Sequence, residues 1–501
     1  MKILTAAQTR EADAYTIAHE PISSIDLMER AAGALVQWIE KEYGPEQPWY
    51  IFCGPGNNGG DGLAVARLLF QRAYDVQVVL VTEGQNHSPD FQQNLNRLPT
   101  EIPVTRTASP DDLPSLLSYA MVLDGLFGSG LSRPLVGLHA QAVQHINNSA
   151  ATVIAIDLPS GLFADAPTPT DSAVVEADVT LSFERPKLAF LLPESGSFVG
   201  KWHVLPIGLH PDFLNKADSP YSLLTPERLK EVLKPRLKFT HKGTYGNALL
   251  VGGSYGKIGA ITLAAKAALR AGVGLLTVQT PMVGYSILQV AVPEAMALSD
   301  AHEQHITAFP EEVNQYQCIG IGPGLGQAAD TALALEKLFR QALPPLVLDA
   351  DALNLLALDR QLLRNLPANS ILTPHPKEFE RLASPAKHDY HRLQLLKDFC
   401  QEHECYVVLK GYHTCIGTPT GECYFNTTGN PGMATGGTGD TLTGILAGLR
   451  AQGFSPLDTC LVGVYLHGLA GDLAAEQEGE YALIASDVTQ YLGKAFQQLL
   501  Q

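Results

Sequence analysis

The sequence predicts an α/β protein of two three-layer αβα domains, each a largely parallel sheet with helices on both faces. Three observations carry this. A strand, a glycine loop, a helix and a second strand follow one another at residues 49–81 and again at residues 248–279, giving two βαβ units in one chain. Further short apolar runs in each half end in Gly, Asp, Asn or Ser, as parallel strands do where they open onto a ligand crevice. A stretch of linker composition at residues 211–235 divides the halves.

Composition bounds the rest. The 501 residues are 46% hydrophobic and 17% charged, ample material for two cores. A formal net charge of −17 argues against a nucleic acid or an anionic membrane as the main partner. The chain turns polar directly after Met1, so no signal sequence is expected, and no uncharged apolar run is long enough to span a bilayer. Seven cysteines with no Cys-x-x-Cys pair fit free thiols in a reducing cytoplasm.

In the first half, residues 14–42 carry apolar side chains at helical spacing around Leu27-Met28 and Ala31-Ala32. Trp49-Tyr-Ile-Phe-Cys53 is a buried strand. It runs into Gly54-Pro-Gly-Asn-Asn-Gly-Gly-Asp61-Gly62, a helix from Leu63 to about Arg72, and the strand Val76-Gln-Val-Val-Leu-Val81. Gly54, Gly56 and Gly59 fit the dinucleotide fingerprint, with Glu83 near the place of the ribose acid. Asp61 counts against that reading, because it sets a carboxylate at the helix start where pyrophosphate would sit. Asn57 and Asn58 add amides that a pyrophosphate turn does not need, although both also suit an ordinary turn.

Two more strands follow. Met121-Val-Leu-Asp124 runs into Gly125-Leu-Phe-Gly128, and Thr152-Val-Ile-Ala-Ile-Asp157 runs into Leu-Pro-Ser160-Gly161. Three strand ends thus bring Asn, Asp and Ser oxygens to one crevice, a set suited to a hard cation or a proton acceptor. Val179-Thr-Leu-Ser-Phe183 leads to Lys187, which either adds a cation to this rim or is a solvated surface lysine.

In the second half, Ala248-Leu-Leu-Val251 meets Gly252-Gly-Ser254, a helix covers residues 259–270, and Leu275-Leu-Thr-Val-Gln279 completes the unit. Ile319-Gly-Ile321 meets Gly322-Pro-Gly-Leu-Gly326. Leu346-Val-Leu348 meets Asp349-Ala-Asp351, Ile371-Leu-Thr373 meets Pro374-His375-Pro-Lys377-Glu378, and Val407-Val-Leu409 meets Lys410-Gly411. Each strand end also has a plainer reading. Asp349 and Asp351 suit helix caps, His375 a rigid turn, and Lys410 a lysine snorkelling from a strand edge.

The last of these loops, Asn430-Pro-Gly-Met-Ala-Thr-Gly-Gly-Thr-Gly439-Asp440, opens directly into an apolar helix. Its four glycines bare backbone N–H groups at a helix N-terminus, a ready site for an anion. Asp440 stands at the helix start either as an N-cap or as a base beside that anion.

Asn57-Asn-Gly-Gly-Asp61, Gly128-Ser-Gly-Leu-Ser-Arg-Pro134, Asp157-Leu-Pro-Ser-Gly161 and Phe183-Glu-Arg-Pro-Lys187 resemble the N-terminal domain of the YjeF-type NAD(P)H-hydrate epimerases. The resemblance implies a Rossmann-like fold over residues 1–218 that interconverts the C6 epimers of hydrated NADH or NADPH. It implies hydrate contacts at Asn57, Asn58, Gly59, Gly60 and Asp61, and at Gly128, Ser129, Gly130, Leu131, Ser132, Arg133 and Pro134. It further implies a potassium ion on Asn58, Asp124 and Ser160, with Asp157 against the reacting ring as the acid–base group. Phe163 stands where many relatives carry an acidic residue.

Gly252-Gly-Ser254, Gly322-Pro-Gly-Leu-Gly326, Leu348-Asp-Ala-Asp-Ala-Leu-Asn354, Thr373-Pro-His-Pro-Lys-Glu378, Lys410-Gly-Tyr-His-Thr414 and the loop ending at Asp440 resemble the ADP-dependent NAD(P)H-hydrate dehydratases, which have a ribokinase-like fold. This resemblance covers residues 224–501. It implies that Ala260, Gly322, His375 and Asp440 contact the hydrate, with Asp440 catalytic, and that Lys410, Gly411, Tyr412, His413, Thr414 and Gly439 contact the adenine nucleotide. Tyr412 replaces a small residue common there. The expected co-substrate is ADP, with Mg2+ on the nucleotide, and a homo-oligomer is the expected assembly. Three rivals stand beside this reading: a vitamin or sugar kinase fused to a nucleotide-binding regulatory domain, a non-catalytic nucleotide-binding regulator, and a dehydrogenase in the first half.

Overall fold

The computed structural model describes residues 1–82 and 86–501, so the ribose-acid candidate Glu83 lies outside the described residues. The chain forms two compact units, one of Met1–Tyr221 with His388–Tyr390 and one of the remainder.

In the first unit the described residues form a seven-stranded sheet of β1 (Trp49–Cys53), β2 (Val76–Leu80), β3 (Val104–Arg106), β4 (Met121–Gly125), β5 (Thr152–Ile156), β6 (Val179–Phe183) and β7 (Lys201–Leu205). Its order is β3-β2-β1-β4-β5-β6-β7, parallel throughout. This is the Rossmann-like arrangement, with the order reversing between β1 and β4 and a crevice expected at their carboxyl ends. Side chains alternate across the sheet. Trp49, Ile51 and Cys53 pack into a core with the helices Ser24–Glu42 and Asn57–Phe70, while Phe52 joins the opposite core with the helix Gly137–Asn147.

Two helical boundaries differ from the expectation. Residues 14–42 are not one helix: Ala6–His19 ends at Glu20, which is extended at φ −96°, ψ 147°, and Ser24–Glu42 restarts behind the Ser23 cap. Pro21 enforces the break, because its ring bars a helical residue before it. The helix after β1 begins at Asn57, not Leu63. Gly59 and Gly60 are therefore buried within it, and Asp61 lies past its first turn rather than at its start. The strands β3 and β7 went unseen because they lack an apolar run; β3 is largely exposed and β7 alternates exposed and half-buried positions, as edge strands often do.

In the second unit, taken with the boundary residue Tyr221, the sheet comprises β8 (Tyr221–Leu223), β9 (Asn247–Val251), β10 (Leu275–Thr280), β11 (Met296–Ser299), β12 (Cys318–Ile321), β13 (Leu346–Leu348), β14 (Ile371–Leu372), β15 (Tyr406–Leu409), β16 (Cys415–Gly417) and β17 (Cys423–Phe425). The order is β11-β10-β9-β12-β13-β14-β15-β16-β17-β8. From β11 to β15 the strands are parallel and repeat the order of the first unit. The pairs β15–β16 and β16–β17 are antiparallel, so residues 410–414 form a hairpin turn.

Helix Thr438–Ala451 lies against helix Ile258–Arg270, and its small residues set how close they come. A Cβ on Gly444 would fall 2.0 Å from the Ala264 carbonyl oxygen, and one on Gly448 2.7 Å from that of Ala268. The apolar stretch after the glycine loop thereby anchors Asp440 against the sheet. Among the described residues, no helix is long and apolar enough to cross a membrane.

Candidate functional site

In the first unit a cavity of about 1020 Å³ opens where β1, β4, β5 and β6 end. Asn57, Asn58 and Asp61 line it from the helix after β1, Gly128 to Pro134 from the loop after β4, and Asp157 from the end of β5. Gly59 and Gly60 do not line it; both are buried behind Asn58.

Asp157 is held in a left-handed conformation at φ +64°, a region Asp tolerates better than most residues at a cost of about 1–3 kcal/mol. Its Oδ1 lies 2.8 Å from Lys187 Nζ. Lys187 is 1% exposed, so the reading of a solvated surface lysine does not hold. Burial pushes the Asp157 carboxyl up, but Lys187, the Ser129 hydroxyl and the Phe183 N–H together hold it below the ordinary carboxylate value. Asp157 Oδ2 is 3.5 Å from where a Gly128 Cβ would stand, beside Asn58 Oδ1.

Two other carboxyls that face the same cavity are shifted in the opposite direction. Asp61, 9% exposed, is raised well above its ordinary value by burial first and then by Asp157, Asp13 and Asp90. Asp13 is raised to about 6 by burial and by Asp157, with Lys187 opposing. Asp13 and its neighbour Arg10 come from the helix Ala6–His19, and sequence reasoning missed both. The only available signal was their three-residue spacing, which puts them on one helix face.

Behind the cavity wall, Asp124 is fully buried, and no cationic side chain among the described residues pairs with it. Its Oδ2 accepts from Ser160 N–H at 2.8 Å, and its Oδ1 accepts from the Leu126 N–H at 3.2 Å and lies 2.6 Å from Ser160 Oγ. Burial still pushes it up to about 6. Ser160 Oγ is also 2.9 Å from the Phe127 carbonyl oxygen, and the Asn58 amide nitrogen is buried without a partner. A buried carboxylate that has hydrogen-bond donors but no cation, amid hydroxyl and carbonyl oxygens, suits a hard monovalent cation. Among the described residues no group of three or more His, Cys, Asp or Glu side chains is placed to hold a metal ion.

In the second unit the strand ends after β13, β14 and β15 meet the start of helix Thr438–Ala451, whose N-cap is Gly437 at φ +97°. Asp440 is the third residue of that helix and not its cap. Asp349 is 1% exposed; its Oδ1 lies 2.9 Å from Lys410 Nζ, and its Oδ2 accepts from Thr443 Oγ1 at 2.8 Å. Asp349 therefore makes no side-chain cap on helix Ala350–Leu358, whereas Asp351 receives the Gly326 N–H at 2.9 Å. Lys410 Nζ is also 4.0 Å from Glu378 Oε2, and 3.4 Å from where a Gly439 Cβ would lie. Burial pulls the Lys410 ammonium down, and Asp349 with Glu378 and Asp440 more than restores it.

Asp440 is pushed up to about 6 by burial and by Asp349, against Lys410. His467 supports this helix start: its Nε2 is 3.0 Å from the Thr438 carbonyl oxygen, and burial lowers the imidazole to about 4, which leaves it neutral and able to donate there. His375 caps helix Pro376–Leu382 through Nδ1 and places Nε2 3.5 Å from Glu378 Oε1, so it joins the Glu378–Lys410–Asp349 chain. Gly322 packs on the Asp349 backbone, and Ala260 lies beside Gly324. Of the hairpin residues 411–414, Tyr412 is 75% exposed, while burial lowers His413 to about 4. Glu378 was only part of a strand-end motif in the sequence; Thr443 and His467 carried no signal there.

A family profile described as YjeF-related protein N-terminus matches residues 24–189, and one described as NAD(P)H-hydrate dehydratase matches residues 248–494. A bifunctional NAD(P)H-hydrate repair enzyme of Moorella thermoacetica is 37% identical over 98% of this chain and 96% of its own length. One from Thermofilum pendens is 34% identical over 100% and 97%. The structure of an ADP/ATP-dependent NAD(P)H-hydrate dehydratase from Bacillus subtilis, co-crystallised with ATP/Mg2+, is 32% identical and covers 56% of this chain and 98% of its own, with a TM-score of 0.48.

Proposed function

Since the chain belongs to the family of bifunctional NAD(P)H-hydrate repair enzymes, we propose that it returns hydrated NADH and NADPH to the usable cofactors through two activities. Residues 1–218 interconvert the two C6 epimers, and residues 224–501 dehydrate the S form at the expense of ADP. The observation that carries the second activity is the cluster of Asp440, Lys410 and Asp349 at the glycine-lined start of helix Thr438–Ala451.

Hydroxide is a poor leaving group, so the C6 hydroxyl is first made a phosphate ester. Asp440 takes the hydroxyl proton, the oxygen attacks the β-phosphorus of ADP, and AMP leaves. The N–H groups around Gly436 to Gly439 and the Lys410 ammonium offset charge on the transferring phosphoryl; donors of this kind are worth about 3 kcal/mol each. Loss of phosphate from C6 with a proton from C5 restores the ring double bond. Magnesium would be held by the nucleotide's own phosphates and would supply charge neutralisation there.

Hydrate contacts are assigned to Ala260, Gly322, His375 and Asp440, and nucleotide contacts to residues 410–414 with Gly439. In the first unit they are assigned to Asn57, Asn58 and Asp61, to residues 128–134 and to Asp157, while Gly59 and Gly60, buried off the cavity, shape the helix start without touching the hydrate. Potassium is assigned to Asn58, Asp124 and Ser160, where it would compensate the Asp124 carboxylate. The seven cysteines are buried free thiols, which supports a reducing cytoplasmic setting, and we assign the assembly as a homo-oligomer.

The test is Asp440→Asn with S-hydrate and ADP, followed by the return of reduced-nicotinamide absorbance. Loss of a general base lowers the rate by about 10²–10⁴-fold with the fold intact. A stable phosphorylated product from the wild-type protein would instead mark a kinase.

A further inference from the structure

Inversion at C6 demands an acid and a base at the same moment, and the first unit holds one carboxyl of each kind. In the hydrate, C6 bears both the hydroxyl and the ring nitrogen N1. The inversion that needs no oxidant or co-reactant opens the C6–N1 bond. A base takes the hydroxyl proton, the oxygen electron pair forms a C6 carbonyl, the C6–N1 pair passes to nitrogen, and an acid protonates it. Rotation about C5–C6 and closure from the other face reverse each transfer, so both protons return to their donors and nothing is consumed. A single carboxylate cannot be both partners at once.

We infer that Asp61 is the general acid of this site and the Asp157–Lys187 pair its general base. This rests on the epimerase reading of the first unit. The geometry separates the two carboxyls. Asp157 has its own buried cation at 2.8 Å on Oδ1, which leaves Oδ2 toward the cavity beside Gly128 and Asn58. Asp61 lines the same cavity from the facing helix, is 9% exposed, and has no ion-pair or hydrogen-bond partner among the described residues. A buried carboxyl with neither cation nor donor keeps its proton. The charged groups around it reinforce this: Asp13, Asp90 and Asp157 are all acidic, and Lys187 is already committed to Asp157. Two carboxyls whose surroundings drive them to opposite states are the mark of an acid–base pair.

The experiment follows interconversion of purified R and S hydrates without ADP by chiral separation, in wild type and Asp61→Asn, together with hydrate binding by calorimetry. Asp61→Asn is expected to lower the interconversion rate at least about 100-fold with binding changed less than about threefold. Wild-type interconversion is expected to fall on the alkaline side as Asp61 ionises, while the acid side stays flat because Asp157 remains charged. A wild type that interconverts while Asp61→Asn stays within about tenfold of it overturns the inference. So does a wild-type rate that shows no fall on the alkaline side, a readout that holds even if the variant does not fold. A wild type that does not interconvert at all overturns the epimerase reading itself.

Discussion

Lys187→Met removes the cation from a pair that the fold has taken out of water. Lys187 is 1% exposed and Asp157 7%, with 2.8 Å between Nζ and Oδ1. Breaking such a pair from one side leaves an uncompensated buried carboxylate, which costs about 3–5 kcal/mol. For a unit of this size each kcal/mol moves the melting temperature by about 2–4 °C, so the first unit should melt about 6–20 °C lower. Chemistry should fail with it. Burial raises the Asp157 carboxyl and Lys187 is the largest opposing influence, so without Lys187 the carboxyl shifts toward its protonated form and weakens as a base. Calorimetry and epimer interconversion check the two parts separately. The double variant Lys187→Met/Asp157→Asn tells a buried charge from lost packing, because it should recover much of the stability and none of the activity. Unchanged melting with interconversion within about twofold of wild type would refute the claim that Lys187 holds Asp157 ionised.

Three further outcomes follow from the same reasoning. ADP-dependent dehydration should rise as pH passes through about 6, where Asp440 becomes the carboxylate that acts as base, and then level off. Stability has the opposite sign: with its folded value raised from 3.8 to about 6, Asp440 lowers the second unit's melting temperature as pH rises through that range, and Asp440→Asn removes this part of the dependence. Gly322→Ala should cost about 4 kcal/mol or more and abolish ADP-dependent turnover, because its Cβ would fall 1.8 Å from the Asp349 carbonyl oxygen at φ +135°. Replacing sodium by potassium at constant ionic strength should stabilise the first unit by about 2.7 kcal/mol at a hundredfold excess over Kd, and Asp124→Asn should erase the gain in calorimetry.

Much of this was legible in the sequence, because parallel sheets concentrate chemistry at strand ends and short apolar runs mark those ends. Asp124, Asp157 and Ser160 could be placed on one rim in this way, as could Asp349, His375 and Lys410. What stayed hidden depends on long-range packing. Asp13 sits on the first helix, far along the chain from Asp61 and Asp157, and no local pattern links them. Whether Lys187 was buried or solvated depends on a partner thirty residues earlier in the chain. The role of Asp440 turned on where its helix begins. Gly437 takes the capping position in a left-handed conformation, which moves Asp440 inside the helix and frees its carboxylate from capping. Edge strands such as β3, exposed and without an apolar run, left no periodic signal.

The most direct measurement is chiral separation of pure R-hydrate after incubation with the full chain, with and without ADP. Without ADP, R should relax to a mixture of R and S and no reduced nicotinamide should form. With ADP, both epimers should disappear, with NADH or NADPH returning in their place. R-hydrate that persists unchanged in both arms would contradict the account. So would R-hydrate that is lost with ADP while a phosphorylated hydrate accumulates.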